Sequence, residues 1–189
     1  MVTKLELLNK VRSTDNKTAL QAIEEMRIRG WLTDGTLRGT ALIRAQFQGA
    51  DLIEADLSFI DFHQAEMEYA DLSNTNLRGA KLTRANMIGA NLSETNLSNA
   101  NLYKTNLRGC RNLTVEQLAK TKRLWGAIMP NGESYDGRYN LPADLELAHL
   151  RGVVVEDQQA MAEFYGVSLE TYLNGQKESL VETSTETTA

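Results

Sequence analysis

Residues 70–89 read ADLSN TNLRG AKLTR ANMIG, and this stretch decides the fold because it repeats one pattern in every block of five. The third residue of each block is Leu or Met, and the same phase continues in both directions without a gap. A repeat at a fixed short period is typical of a stacked solenoid. Sixteen successive large apolar residues hold this position: Leu32, Leu37, Leu42, Phe47, Leu52, Leu57, Phe62, Met67, Leu72, Leu77, Leu82, Met87, Leu92, Leu97, Leu102 and Leu107.

Two other positions of the block also have preferred residues. Two residues before the large residue lies a small one, Ala, Thr or Gly, with Ile60 as the bulky exception. Asp or Asn directly precedes the large residue in ten of the sixteen blocks. A helix needs apolar spacing near 3.6 and a strand needs alternation, so a period of five fits neither. The pattern therefore predicts one turn per block, with the large and small residues pointing inward and the other three pointing outward.

The units resemble the A-(D/N)-L-x-x units of the pentapeptide repeat family. Examples are Ala50-Asp51-Leu52-Ile53-Glu54, Ala70-Asp71-Leu72-Ser73-Asn74 and Ala90-Asn91-Leu92-Ser93-Glu94. The resemblance covers residues 30–109 and implies an all-β solenoid core, a right-handed quadrilateral β-helix with four units per square coil. It further implies about four coils, roughly 19 Å of stack at the spacing of neighbouring strands.

Both ends of the repeat are expected to be covered, because an open end exposes apolar side chains and unpaired backbone groups. Residues 1–29 are predicted to form an α-helical N-terminal cap. Leu5, Leu8 and Val11 indicate one helix, and Asp15 is the expected N-cap of a second. The phase breaks after Leu107, so the β-helix is expected to end near residue 110.

Residues 110–176 are predicted to form a C-terminal cap, mainly helical with a short turn-rich segment. Thr114 followed by Gln117 is a capping-box pattern that begins a helix. Further helices are expected over 142–150, 156–165 and 168–173, with Gly175 as a stop. Residues 177–189 are rich in Thr and Glu and are predicted to be disordered. The expected apolar anchors on the last coil are Leu118, Leu124, Trp125, Leu145 and Phe164.

Composition excludes several classes of protein. The 189 residues have a net charge of −5, which argues against nucleic acid or an anionic membrane as the main partner. No apolar run approaches the roughly 20 residues of a membrane span. Residues 1–10 lack the basic and apolar blocks of a signal peptide. A cytoplasmic protein without a membrane partner is therefore expected.

Residues suited to catalysis are few. The chain has one cysteine, Cys110, in the small-residue position, and two histidines, His63 and His149, that no motif places beside a nucleophile. A core packed with Leu, Phe, Met, Ala and Thr also leaves no ligand-sized cavity. We therefore predict no enzyme, no catalytic, metal or cofactor-binding residues, no cofactor and no small-molecule substrate.

Residues 162–172 resemble the centre of a DNA-binding helix-turn-helix, with Ala162 followed by Gly166 and Val167. Their charge disagrees with that function, since residues 153–180 carry five acids and one base whereas phosphate binding needs Lys and Arg. We interpret the segment as a helical hairpin packed on the end of the solenoid, and DNA is not expected as a partner.

Residues 20 apart should stack on one face of the solenoid. Asp34, Glu54, Asn74 and Glu94 then form an acidic column, and Arg44, Gln64, Arg84 and Lys104 form a basic column on the next face but one. These possible interaction columns could orient a partner electrostatically, or they could be solubilising surface.

The sequence favours a non-enzymatic module that presents rigid solenoid faces to a protein partner. The resemblance also suggests an alternative, an acidic DNA mimic that binds a type II topoisomerase such as gyrase, as quinolone-resistance pentapeptide proteins do. Against this, residues 30–109 hold nine acids and seven bases, and the acids concentrate in 51–68. A less specific alternative is nucleic-acid association through the C-terminal helices.

Overall fold

Parallel β-bridges join residues that lie 20 apart and define the architecture. The computed structural model describes residues 2–185, with side chains to residue 178. Ala41 bridges to Asp61, Asp61 to Lys81 and Lys81 to Asn101, and equivalent series start at residues 46, 51 and 56. The chain therefore completes one circuit in four blocks of five, and each circuit lies in register on the one before it. The predicted 20-residue geometric repeat is confirmed.

Each block ends in a tight turn that explains its preferred residues. In one block, the Ala45 N–H donates to the Leu42 carbonyl at 3.1 Å, and Arg44 between them has φ 58°. Asp or Asn stabilises the bend because its Oδ1 accepts the backbone N–H two residues later, as in Asp61 to His63 at 3.1 Å and Asn101 to Tyr103 at 3.0 Å. The polar position of the repeat is therefore a turn-forming position.

The interior of the coil is filled by side chains. All sixteen large apolar residues of the repeat are buried, and so is Ile60, as the sequence predicts. Phe47 and Phe62 meet edge to face with ring centroids 5.7 Å apart. Threonine hydroxyls in the small position have hydrogen-bond partners inside the coil. The Thr75 hydroxyl, for example, donates to the Leu52 carbonyl of the preceding coil at 2.7 Å. Apolar side chains therefore fill the core along the length of the coil.

Two helices precede the coils: α1, Lys4–Val11, and α2, Asn16–Ile28. Asp15 is the N-cap of α2, as predicted, and accepts the Thr18 N–H at 2.9 Å. Leu5, Leu8 and Val11 lie in one helix, α1, as predicted; Leu7 and Val11 face the core, whereas Leu5 is 66% exposed. Residues of α2 reach the first coils, where Arg27 pairs with Asp51 at 2.5 Å.

The coil register extends past the point at which the sequence analysis ends it. Asn101 bridges to Arg123 and Asn106 to Ile128, so the spacing becomes 22 beyond residue 111. The two extra residues accommodate α3, Val115–Ala119, which takes the place of one side of the coil and has the predicted Thr114 capping box. The expected end near Cys110 is wrong because Leu124 and Ala127 enter the core after the helix and restore the inward pattern.

Three more helices complete the described chain: α4, Pro142–Leu150, α5, Gln158–Tyr165, and α6, Leu169–Thr185. The predicted stop at Gly175 is wrong, since α6 continues through this residue. A side chain at this position would collide with Asp136, so glycine lets the helix pack against that carboxylate. The predicted disorder from residue 177 is wrong for 177–185, which continue α6 with the Glu178 carboxylate 2.7 Å from Arg138. Residues 186–189 of that prediction lie outside the described residues.

The predicted anchors of the C-terminal region divide into two groups. Leu118, Leu124 and Phe164 are buried, whereas Trp125 and Leu145 are partly buried and pack against the same apolar core. None of the helices within residues 2–185 has the length and apolar character needed to cross a membrane.

A fully buried carboxylate joins the last coil to α4. Asp144 accepts the N–H groups of Leu124 and Trp125 at 3.0 and 3.2 Å, and the nearest charge is Arg123, whose Nε is 3.6 Å away. Burial raises the pKa of Asp144 to about 6, and the two N–H donors and Arg123 oppose that rise. The carboxyl group therefore titrates near neutral pH while it holds the coil and helix together.

The packed core predicts that Leu72→Asp unfolds the protein or destabilises it severely. The new carboxylate would be unpaired inside the coil, and we expect a loss of several kcal/mol, on the order of 4, in the free energy of unfolding measured by denaturant titration. Ser98→Asp is the matched control, since it adds the same charge at an outward position. Equal stability of the two variants would contradict the closed core.

The Asp144 environment predicts a pH-dependent difference between the wild type and Asp144→Asn. A pKa raised in the folded state stabilises the fold below the unfolded value of 3.8, and this stabilisation is lost as pH rises through about 6. The advantage of the wild type over the variant should therefore fall by about 2 to 3 kcal/mol between pH 4 and pH 7, at 1.36 kcal/mol per pKa unit.

Thermal or denaturant unfolding at several pH values measures this difference. Glu146→Gln, at an exposed position of the same helix, is the control and should show no comparable trend. A difference between the wild type and Asp144→Asn that stays constant from pH 4 to pH 7 would contradict the assignment.

Candidate interaction surface

Four sides and four turns make up the surface of the coil. One side contains Ala41, Asp61, Lys81 and Asn101, which bridge in sequence. It is entered by the turns at 38–39, 58–59, 78–79 and 98–99 and left by the turns at 43–44, 63–64, 83–84 and 103–104. We call this side with its two rows of turns the basic face.

The basic face has a strong excess of positive charge. Its one carboxylate, Asp61, lies 3.4 Å from Lys81. No carboxylate among the residues with described side chains lies within 4.0 Å of a charged nitrogen of the other five cations. Arg44 instead donates from Nε to the Gln64 Oε1 at 3.0 Å, so two members of the predicted basic column touch across one coil. The six cations are Arg38, Arg44, Arg78, Lys81, Arg84 and Lys104.

An exposed aromatic ring lies in the entering turn of the basic face. Phe59 is 42% exposed, and the guanidinium carbons of Arg38 and Arg78 lie 5.3 and 5.4 Å from its ring centroid. The ring lies against Gly79, where an added Cβ would be 2.7 Å from it. The predicted columns pass through residues 34 and 44 and do not include this turn, so sequence reasoning missed this group. The signal was available, since residues 38 and 78 hold the same position two circuits apart.

The predicted acidic column lies on the opposite side of the coil. Glu54, Asn74 and Glu94 occupy the same turn position, each with positive φ. Asp34 precedes the first bridge and is held by the N-terminal helix, with its carboxylate 3.0 Å from the Lys4 ammonium. Hydrogen bonds from Thr36 and Lys4 lower the pKa of Asp34 to about 2. The structure therefore brings Glu54 and Glu94 onto one face and leaves Asp34 outside it.

Aromatic residues close the C-terminal end of the basic face. Tyr103 and Trp125 are stacked with centroids 5.3 Å apart and an interplanar angle of 19°. The Trp125 ring also meets Phe164 at 5.7 Å and Arg151 at 4.4 Å, and its Nε1 donates to the Phe164 carbonyl at 2.9 Å. The indole is therefore enclosed by protein groups.

The other candidate reactive groups are dispersed. Cys110 is buried, its sulfur lies 3.0 Å from the Met87 carbonyl, and burial raises the pKa of the thiol to about 12. This environment suits an inert thiol. His63 lies in a turn of the basic face, whereas His149 is exposed on α4. Within the described part of the chain, no three His, Cys, Asp or Glu side chains are grouped so that they could hold a metal ion.

A cleft of about 710 Å³ lies between residues 129–139 and the segment from Gly166 to Glu178. Its lining is mainly polar, and its cation Arg138 is occupied by Asp136 at 2.9 Å and by Glu178 at 2.7 Å. Because these charges satisfy one another, Arg138 is not free to bind an anionic ligand in this cleft.

Comparison with known proteins bears on the repeat region. The family described as pentapeptide repeats matches in eight copies, over residues 32–68, 40–79 and 75–111. The fold of that family is a right-handed quadrilateral β-helix, which agrees with the 20-residue register. Pentapeptide repeat proteins are generally structural or interaction modules rather than enzymes. No curated protein sequence matches the chain.

Solved structures of pentapeptide repeat proteins are also similar. HetL, involved in heterocyst differentiation regulation in the cyanobacterium Nostoc sp. strain PCC 7120, is 29% identical, with 50% of this chain and 51% of that chain covered and a TM-score of 0.23. A protein of the Arabidopsis thaliana thylakoid lumen is 24% identical, with coverage of 61% and 79% and a TM-score of 0.25. Rfr23 from the cyanobacterium Cyanothece 51142 is 31% identical, with coverage of 47% and 62% and a TM-score of 0.19. The chain thus spans about half the length of HetL. Residues 32–111 of this chain are thus a pentapeptide repeat region.

Proposed function

We propose that the protein is a non-enzymatic interaction module that presents charged side chains in fixed rows to a protein partner. The observation that carries the proposal is the division of charge between opposite sides of the coil. The basic face holds six cations and one carboxylate. The opposite side holds two cations, Arg108 and Arg111, and five carboxylates, namely Asp51, Glu54, Glu68, Asp71 and Glu94.

The backbone makes these rows rigid. The outward residues lie next to buried large residues, and backbone groups of their turns form hydrogen bonds to neighbouring coils. The Arg84 N–H, for example, donates to the Tyr103 carbonyl at 2.9 Å. A surface held in this way loses little conformational freedom on binding, which favours affinity. The charged rows therefore have the properties of a preformed docking surface.

The terminal helices fit the role of caps on about four coils. At the first coils, Asn16 donates from Nδ2 to the Gln48 carbonyl at 3.2 Å. At the other end, Gln117 donates from Nε2 to the Leu92 and Thr95 carbonyls at 2.8 Å each. These contacts satisfy backbone groups of the end coils, which otherwise would promote edge-to-edge association. The sides of the solenoid are then the surfaces that remain for a partner.

The alternative of an acidic DNA mimic that binds a topoisomerase has weaker support. A mimic requires continuous negative charge along the axis, whereas Asn74 and Asn91 interrupt the acidic side and Arg27 pairs with Asp51. The basic face would repel the cationic surface on which a topoisomerase accepts DNA. These charges favour the general interaction module.

The test is quantitative capture of partners from native extract by the full-length protein and two charge-reversed variants. One variant carries Arg44→Glu and Arg84→Glu, and the other carries Glu54→Lys and Glu94→Lys. We expect one of them to lose a specific partner by about tenfold or more, because docking of charged rows depends on complementary charge. The other variant should retain that partner.

The control carries Lys10→Glu and Lys17→Glu, which change exposed helical residues by the same charge as the first variant. It should behave as the wild type. Capture that is equal for the wild type and for all variants would contradict the proposal, as would a catalytic turnover lost on substitution of His63 or His149.

A further inference from the structure

We propose that the basic face binds an extended acidic segment of a partner protein, with an apolar side chain of that segment packed on Phe59. The inference rests on the proposed function and specifies its surface and the chemistry of its partner. It depends on three observations, which are the unpaired cations, their arrangement in two rows, and the enclosure of the neighbouring aromatic rings.

The cations of the basic face favour carboxylates. Arg38, Arg44, Arg78 and Arg84 are exposed, and each guanidinium can bind a carboxylate through two parallel hydrogen bonds. The arginines that contact Asp or Glu belong to other parts of the described chain, for example Arg27 with Asp51 and Arg138 with Asp136. The basic face therefore retains unused capacity for a partner's carboxylates.

The arginines form two rows along the axis of the solenoid. Arg38 and Arg78 lie in the entering turns, and Arg44 and Arg84 lie in the leaving turns. Members of a row are two coils apart, which is about 10 Å at the spacing of neighbouring strands. An extended segment places alternate side chains about 7 Å apart, within reach of these flexible arginines. Six to eight extended residues, roughly 20 to 26 Å, would cover the face.

Phe59 supplies an apolar contact between the charged groups. The ring lies against the backbone at Gly79 and has Arg38 and Arg78 beside it, so its position is fixed before binding. An aromatic ring bordered by arginines has the composition of an interface hot spot. An acidic segment with one apolar residue at the matching place would therefore bind more tightly than a purely acidic one.

The arrangement of the aromatic rings favours a protein over a nucleic acid as the partner of the basic face. Single-stranded nucleic acids bind to exposed aromatic faces on which bases stack. Trp125 is enclosed by Tyr103, Phe164 and Arg151, and Phe59 lies on Gly79 between two guanidinium groups. Trp125 therefore offers no free face, and Phe59 is the one exposed Phe, Tyr or Trp ring of the basic face, so this face lacks the series of rings on which successive bases stack.

The inference can be tested with full-length protein and fluorescent peptides of about twelve residues that alternate Glu and Ser, with or without one central Leu. Anisotropy should detect saturable binding of both peptides, and affinity should fall by about tenfold or more from 0.05 to 0.3 M salt because exposed charges are screened. A peptide with Gln in place of Glu should not bind. Absence of saturable binding by the Glu peptides would overturn the inference.

Variants separate the basic face from general positive charge. Arg38→Glu with Arg78→Glu should weaken peptide binding by about tenfold or more, whereas Arg108→Glu with Arg111→Glu, outside the basic face, should have less than about a threefold effect. Equal loss in both pairs would overturn the inference. Arg38→Lys with Arg78→Lys keeps the charge and should retain measurable binding, which guards against misfolding of the reversed pair.

Phe59→Ala tests the apolar contact. It should reduce the affinity for the Leu-containing peptide by about fivefold to tenfold, because part of a buried aromatic contact is lost. The affinity for the Leu-free peptide should stay unchanged. Equal effects on both peptides would overturn the role of Phe59. Tighter binding of single-stranded or duplex oligonucleotides of matched charge would overturn the choice of protein as partner.

Failure of the inference can be distinguished from failure of the proposed function. A native partner lost on Glu54→Lys with Glu94→Lys, together with no binding of acidic peptides, would show an interaction module that uses its acidic side. If no variant loses either partner capture or peptide binding, both the inference and the proposed function are contradicted.

Discussion

The hydrogen bond between a backbone N–H and the carbonyl about 20 residues away is the constraint on which this structure depends. The Leu57 N–H donates to the Asn76 carbonyl at 3.0 Å, and the Asn76 N–H donates in turn to the Ala55 carbonyl at 2.9 Å. Because each circuit provides hydrogen-bond partners for the backbone groups of the next, a small buried core is held together without long strands or helices. The same bonds fix the height and direction of every outward side chain, so the surface chemistry follows from the register.

Maintaining this register requires unusual backbone geometry at the end of each block. Arg44, Phe59 and Glu94 all have positive φ, a conformation that costs a residue with a Cβ more than it costs glycine. Glycine takes the same position at residues 39, 49, 79, 89 and 109. Gly79 also provides the space that Phe59 occupies, so the alternation of ring and glycine in one row both relieves strain and positions an aromatic group.

The C-terminal region shows how an irregular segment can continue a regular one. Helix α3 replaces one side of the coil, after which Leu124 returns to the core and Ile128 bridges to Asn106. Asp144 then links this last circuit to α4 through two backbone N–H groups. Because the carboxylate is buried, the link depends on pH, whereas the regular coils are joined by neutral backbone hydrogen bonds.

The sequence by itself determined the period, the inward residues, the capping of α2 and α3, and the position of Glu54, Glu94, Arg44, Arg84 and Lys104 in columns. These features are set by local turns and by which side chains avoid water, and both repeat along the chain. Only the tertiary structure decided that the coil resumes at Leu124, that Gly175 lies inside a helix, and that Asp34 is drawn to Lys4. It also revealed the Arg38, Phe59 and Arg78 group, because these residues meet through stacking of separate circuits. The 20-residue repeat already aligned the positions of that group, whereas the other outcomes depend on contacts between segments distant in sequence, for which the five-residue pattern holds no signal.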